Sequence, residues 1–286
     1  MTAPRWASAV VDCQAGQVLR SARAHGPVSL IATPWPQVAT RPAVRAEGLE
    51  ADSATLDFDQ IPLTSIDGQR VESVFVRGCG VVPLHANMFM AADSPLLAFV
   101  ETADQQGFRL LIDAGEVVGL VTLSDLQRLP VYSLLFGLVI AVEALLVEWI
   151  RRSCRGDPDA WMRGLSAKRQ EVIESYYARS RASNVAIDRL SCASLGDEIT
   201  AAIGLGLLKS GDANHRKLQE LVTLRDAICH AKEFASTPGL ALKVPQRVRD
   251  ADALAEWIQD SMTRLLVDLS QSEPTDLAAA VTPAQP

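Results

Sequence analysis

The feature that most constrains the fold of this chain is the apolar run at residues 131–150, VYSLLFGLVIAVEALLVEWI. The run has almost the length of a transmembrane span. It also contains Glu143 and Glu148, and an ionisable group inside a bilayer is costly unless it has a partner. A helix that is apolar on nearly every face also suits the centre of a soluble bundle. The run therefore predicts a central, almost completely buried helix, and no membrane span.

The pattern of apolar residues changes at about residue 129. Before it, short apolar stretches alternate with Gly, Pro and Asp-Gly turns, with one short helix at 95–103. After it, the pattern is helical, with predicted helices at 131–154, 158–181, 195–208, 215–232 and 248–269. The predicted fold class is α+β, with an N-terminal α/β module at 1–129, an all-α bundle at 130–271 and a flexible tail at 272–286. The role of residues 1–54 is left open.

Composition indicates a globular protein, because 48% of the 286 residues are hydrophobic and 21% are charged. The five cysteines lie far apart, which predicts reduced, mostly buried thiols of a cytoplasmic protein and no metal site. A formal net charge of -7 disfavours a general nucleic-acid binder. Residues 151–189 depart from that balance, with nine basic side chains against five acidic ones. Such a run is permissive for RNA, although a solvated helix surface is its ordinary explanation.

The first region contains an internal repeat. Residues 66–75 align without gaps to residues 112–121, and both copies predict a strand, a turn and a second strand. The second copy continues into Thr122-Leu123-Ser124-Asp125-Leu126. Residues 84–131 thereby resemble a CBS motif, the β-α-β-β-α unit of many nucleotide-sensing proteins. The resemblance implies that Asp125 binds the ribose hydroxyls of an adenine nucleotide and that Thr122 lies near a phosphate.

Two observations limit that resemblance. A Thr followed three residues later by an Asp is also an ordinary capping arrangement at the start of a helix. In the first copy Val76 and Cys79 occupy the positions of Thr122 and Asp125, so at most one nucleotide site per pair of motifs is expected.

A third pattern lies in residues 221–231, LVTLRDAICHA, where Arg225, Asp226 and His230 share one helical segment. The pattern resembles the Arg-x(4–6)-His motif of HEPN domains, many of which are metal-independent ribonucleases. A histidine titrates near neutral pH and can move a proton at a 2′-OH, and an arginine can stabilise phosphorane charge. The resemblance implies that His230 is the acid–base, that Arg225 binds phosphate, that Asp226 orients Arg225, and that two copies form a homodimer. A capped, solvated helix is the alternative.

Two functions follow from these patterns. The first is a metal-independent HEPN-type endoribonuclease regulated by an adenine nucleotide and active in a toxin or anti-phage system. The second is a non-catalytic CBS-containing protein that senses a nucleotide and binds partners through its helical bundle. A membrane-bound regulator of a transporter is a third idea, weakened because the sequence has no further apolar span.

Overall fold

The computed structural model describes residues 26–38, 40–42, 59–68, 70–230 and 232–271. The predicted tail at 272–286, Cys13 and most of residues 1–54 lie outside the described residues. The described chain forms two compact units. We call residues 26–138 and 224–250 the sheet unit, and residues 139–223 and 251–271 the helical unit. The domain boundaries inferred from the sequence stay a prediction.

The sheet unit contains two four-stranded sheets. Their orders are β1-β8-β7-β6 and β2-β3-β4-β5. The strands are β1 (Thr33–Pro34), β2 (Arg41–Pro42), β3 (Gln60–Thr64), β4 (Val71–Val76), β5 (Gly80–Pro83), β6 (Phe89–Ala91), β7 (Phe108–Asp113) and β8 (Glu116–Thr122).

The two sheets repeat one arrangement of strands. In each, a short strand pairs in parallel with the first strand of an antiparallel hairpin, β2 with β3 and β6 with β7. Both hairpins shift register near their turn, between Leu63 and Thr64 and between Leu111 and Ile112. At the end of each hairpin away from its turn, Val76 pairs with Gln60 in the first hairpin and Thr122 pairs with Phe108 in the second. The internal repeat of the sequence therefore matches β4 to β8, but its first strand is wrong in one copy, because Ile66 lies in an exposed turn whereas Ile112 lies in β7.

An apolar core includes side chains from both sheets. Val74 of β4 is buried in one cluster with Phe108, Leu110 and Leu120 of β7 and β8, and Met88 belongs to the same cluster. Alternate residues of a strand point to the same face, so Phe108 and Leu110 face this core while Arg109 faces away from it. Burial of these side chains is the main term that stabilises the sheet unit.

The seven α-helices of the described chain are α1 (Leu96–Thr102), α2 (Leu129–Ser153), α3 (Ala167–Ala182), α4 (Leu195–Gly204), α5 (Ala213–Cys229), α6 (Pro238–Ala241) and α7 (Val244–Gln271). Three of them, α2, α5 and α7, contribute residues to both units. Within the sheet unit, Arg249 of α7 donates to the Asp104 carboxylate at 2.6 Å, just after α1.

The apolar run forms α2, as predicted, but it is less completely buried than expected. Within the described residues, α2 is the one helix long and apolar enough to cross a membrane, and half of its most apolar window of 18 residues is buried inside the structure. Leu129, Phe136 and Ile140 are exposed by 76%, 39% and 40%. Their spacing of seven and four residues places them along one side of the helix.

Two other predictions about helices need correction. The helix expected at 158–181 is a 3-10 helix at Ala160–Gly164 followed by α3, with the extended residue Ser166 between them. The Pro238-Gly239 pair was expected only to break the chain, yet it begins α6. There Thr237 accepts a hydrogen bond from the Leu240 amide, and Pro238 stands in the first turn, where no amide donor is needed.

The helical unit is held by close packing and by an ion pair to a buried carboxylate. The rings of Trp149 and Trp257 meet edge to face with centroids 5.1 Å apart. Arg169 of α3 donates to both oxygens of Asp197, which is buried at the start of α4. A Cβ atom added at Gly204 would lie 3.0 Å from the Cα atom of Gly164, so these two backbones touch.

The cysteine prediction is partly wrong. The four described cysteines are free thiols, as expected, but Cys79 and Cys229 are exposed and Cys192 is half-buried. Only Cys154 among them is buried. Scatter along the sequence therefore indicated the absence of disulfides and gave no information about exposure.

Candidate functional site

The Thr122–Asp125 step lies where β8 passes into a 3-10 helix at Leu123–Gln127. Asp125 Oδ2 accepts from the Thr122 amide at 2.7 Å and from the Thr122 hydroxyl at 3.2 Å. The hydroxyls of Thr122 and Ser124 are 2.7 Å apart. The capping arrangement that the sequence allowed is therefore present, and it places two hydroxyl groups side by side.

The other oxygen of the Asp125 carboxylate pairs with Arg128, whose Nε lies 2.8 Å from Oδ1. Asp125 is 5% exposed, and its burial raises the pKa of the carboxyl group despite the hydrogen bonds from Thr122 and Arg128. Arg128 is nearly half exposed. A ligand that offers hydroxyl groups to Asp125 would compete with Arg128 for Oδ1, and Arg128 is exposed enough to move.

The equivalent step of the first repeat differs in structure as well as in sequence. After Val76 the chain turns at Arg77–Cys79 and enters β5 directly, so no helix starts there. Arg77 pairs with Asp59 at 3.2 Å. Cys79, at the position equivalent to Asp125, is exposed on this turn.

Arg225, Asp226 and His230 lie at the C-terminal end of α5. Arg225 is half-buried, whereas Asp226 and His230 are exposed. The helix ends at Cys229, so His230 lies one residue beyond it, and the prediction of a helix through residue 232 is wrong. The His230 amide still donates to the Asp226 carbonyl at 3.1 Å, and the Lys232 amide donates to the Ala227 carbonyl at 2.8 Å. The three residues share one segment of the sheet unit, and their roles stay predictions.

Sequence reasoning missed two residues that fix the chain after His230. Tyr132 donates its hydroxyl proton to the Lys232 carbonyl at 3.0 Å and accepts a hydrogen bond from Gln127 Nε2. Gln127 Oε1 accepts from the Ala235 amide at 2.7 Å. The ring of Phe234 meets Tyr132 edge to face at 4.6 Å. About a hundred residues separate the partners, so no local pattern could reveal them.

A mostly apolar groove of about 480 Å³ lies beside this segment. It is bounded by the start of α2 and the end of α5, and its lining residues are Gln127, Leu129, Tyr132, Ser133, Phe136, Ile228 and Cys229. Among all the described residues, no group of three or more His, Cys, Asp or Glu side chains could hold a metal ion.

Comparison with known proteins gives partial likenesses only. No known protein family and no curated protein matches the sequence. Two solved structures share 15% sequence identity with this chain, each at a TM-score of 0.32. One is the CBS domain of the bacterial CNNM/CorC family Mg²⁺ transporter in complex with ATP, and the match covers 42% of this chain and 94% of that chain. The other is the CBS domain of the same transporter family, with 47% of this chain and 96% of that chain covered.

Proposed function

We propose that this protein is a cytoplasmic regulatory protein that binds an adenine nucleotide at the Thr122–Asp125 step and transmits its occupancy to a partner. The observation that carries the proposal is the arrangement at the end of β8. Two adjacent hydroxyls, a buried carboxylate and a partly exposed guanidinium lie within the seven residues from Thr122 to Arg128. Hydroxyls and guanidinium suit a phosphate, and a carboxylate suits the paired hydroxyls of a ribose.

Binding would exchange the partners of Arg128. In the structure Arg128 neutralises Asp125 Oδ1. A nucleotide phosphate would take the guanidinium, and the ribose hydroxyls would donate to the carboxylate in its place. Gln127 precedes Arg128 and holds both Tyr132 and the Ala235 amide. Movement of Arg128 would therefore reach the start of α2 and the segment after α5.

Calorimetric titration of the full chain with ATP, ADP and AMP tests this proposal. We expect binding of at least one of them, and at least a tenfold loss of affinity in both Asp125→Asn and Arg128→Ala. Asp113→Asn makes the same chemical change at the opposite, exposed end of the β7–β8 hairpin and should leave affinity unchanged. Thermal unfolding of each variant separates loss of binding from loss of fold. No heat of binding with any of the three nucleotides would rule the site out.

A second candidate function is a metal-independent endoribonuclease. In this proposal the protein is the homodimer that the HEPN resemblance implies. The observation in its favour is the placement of an exposed His230 directly after α5, five residues beyond a half-buried Arg225, in a segment that Tyr132 holds in place. In this proposal His230 transfers the proton, Arg225 binds the phosphate and Asp226 orients Arg225.

The ribonuclease is tested by incubating purified protein with tRNA and messenger RNA in EDTA, with and without ATP. We expect cleavage that leaves 2′,3′-cyclic phosphate ends and is lost in His230→Ala. His85→Ala, at another exposed histidine of the sheet unit, is the matched control and should cleave normally. Light scattering at several concentrations tests the homodimer. Cleavage that persists in His230→Ala would remove His230 from the chemistry.

A further inference from the structure

The basic residues of the 151–189 segment divide into two groups. Five arginines form ion pairs with carboxylates and so contribute little net charge. Four side chains form no ion pair in the described part of the chain and are exposed: Arg155, Lys168, Arg179 and Arg181. Glu171 is the one carboxylate of the same segment without such a pair. The paired sets are Arg151–Asp188, Arg152–Glu148, Arg163–Asp157, Arg169–Asp197 and Arg189 with both Asp159 and Glu174.

Three of the four unpaired cations lie on α3, together with an exposed aromatic ring. Tyr176 is 52% exposed, and the Arg179 guanidinium lies over its ring at 4.8 Å from the centroid. At about 100° per residue, Lys168 and Arg179 differ by roughly 20° around the helix axis and Tyr176 by about 60° from Arg179. The rise of about 1.5 Å per residue separates Lys168 from Arg179 by about 16 Å. One side of α3 thus carries a cation, a ring and a second cation in a row.

The C-terminal end of α3 is fixed by its own backbone. Asn184 adopts a left-handed conformation with φ 57°. The Val185 amide donates to the Ser180 carbonyl at 2.9 Å, and the Asn184 amide donates to the Arg181 carbonyl at 3.1 Å. This pair of bonds is the Schellman arrangement, which holds the last turn in helical form. Arg179 therefore lies just before a capped final turn, and its guanidinium stacks on Tyr176 without a ligand.

We propose that this face of α3, formed by Lys168, Tyr176 and Arg179, binds single-stranded RNA. A base can stack on the exposed ring and guanidinium, because every base has a π face, while phosphates pair with the flanking cations. An acidic peptide would use the charges but would leave the ring without a stacking partner. The inference goes beyond the proposed nucleotide-responsive role and does not depend on it, since the residues belong to the helical unit.

The test is fluorescence anisotropy of a labelled 12-nucleotide RNA with 2′-O-methyl groups, titrated with the full chain in EDTA. The methyl groups block attack by the 2′ oxygen, so binding is measured even if the protein cleaves RNA. We expect Tyr176→Ala to weaken binding at least about fivefold, as loss of one stacked base should. Tyr176→Phe retains the ring and should bind within about twofold of the wild type, since stacking needs only the π face.

Salt dependence tests the charged part of the face. With two phosphates paired by Lys168 and Arg179, raising salt from about 50 to about 200 mM should weaken binding about sevenfold, because each phosphate contributes a slope of about 0.7 on single strands. The Arg179→Ala variant should show only about a threefold effect of salt. Arg216→Ala removes one exposed charge from α5 and should bind like the wild type. Absence of binding, wild-type affinity in Tyr176→Ala, or equally tight binding of a labelled 12-residue polyglutamate would each overturn the proposal.

Discussion

Tyr132 at the start of α2 donates a hydrogen bond to the Lys232 carbonyl, two residues beyond His230. The bond joins residues one hundred positions apart in the sequence. Gln127 donates to the same Tyr132 oxygen and accepts from the Ala235 amide. The position of the segment that follows α5 thus depends on two side chains close to the Thr122–Asp125 step.

Tyr132→Phe removes this hydroxyl while keeping the ring against Phe234. We expect a loss of about 0.5–1.5 kcal/mol in the free energy of unfolding, the usual value of one hydrogen bond. We also expect faster hydrogen exchange at residues 232–235, measured by mass spectrometry. Tyr176→Phe is the matched control, because its ring is exposed on α3, and it should change neither quantity.

Gly204→Ala should destabilise the helical unit although alanine is the better helix former. The new Cβ would lie 3.0 Å from the Gly164 Cα atom, which belongs to backbone and cannot rotate away. We expect a loss of about 1–3 kcal/mol by urea unfolding, as in other overpacked sites. Gly196→Ala in the same helix has room, with Ser194 Oγ at 3.8 Å, and should be neutral or stabilising by up to about 1 kcal/mol. Equal effects at the two positions would contradict the close packing.

Asp197→Asn should lower stability by about 1–3 kcal/mol at neutral pH, because Arg169 and Ser194 both donate to the carboxylate. Burial alone would raise the pKa of Asp197, but these hydrogen bonds outweigh it and bring the pKa below 3.8. A lowered pKa stabilises the fold above 3.8, and that contribution is lost as pH falls through the lowered value. Urea unfolding of wild type and variant from about pH 2.5 to 5 should therefore converge at the acid end.

The contribution of Asp125 to the free energy of unfolding should depend on pH in the opposite direction to that of Asp197. Its burial raises the pKa above 3.8, so its contribution to stability is fully present below 3.8 and is lost as pH rises through the raised value. The stability of the wild type relative to Asp125→Asn should therefore fall as pH rises. A constant difference between the two proteins from about pH 3.5 to 7 would show that the carboxyl group keeps its ordinary pKa.

The sequence predicted the repeated hairpin and the five long helical segments because each depends on local periodicity. Short apolar stretches broken by turn residues predicted the strands, and the alignment without gaps matched Val76 to Thr122. The same alignment failed for the first strands, because the turn of the first hairpin is two residues longer on that side. Helix ends were less predictable. His230 was expected inside α5, yet the helix stops at Cys229, where the amides of His230 and Lys232 donate back to carbonyls of its last turns.

The contacts that fix the candidate site could not be predicted in the same way. Arg128 is only three residues from Asp125, so the ion pair is local. The spacing alone did not show whether the Asp125 carboxylate pairs with Arg128 or is available to a ribose. Gln127 and Tyr132 were overlooked because their partners follow α5. A glutamine and a tyrosine near a helix start carry no signal of a contact about one hundred residues away.

The sheet unit is built from two separate stretches of chain. This division affects the order in which the protein can fold during synthesis. Residues 26–138 emerge from the ribosome well before residues 224–250, and the whole helical stretch 139–223 is translated between them. Until residue 235 has emerged, Gln127 cannot accept its backbone hydrogen bond, and Tyr132 lacks the Lys232 carbonyl. The nascent chain therefore carries an unfinished sheet unit, without these two hydrogen bonds, during the translation of about one hundred residues.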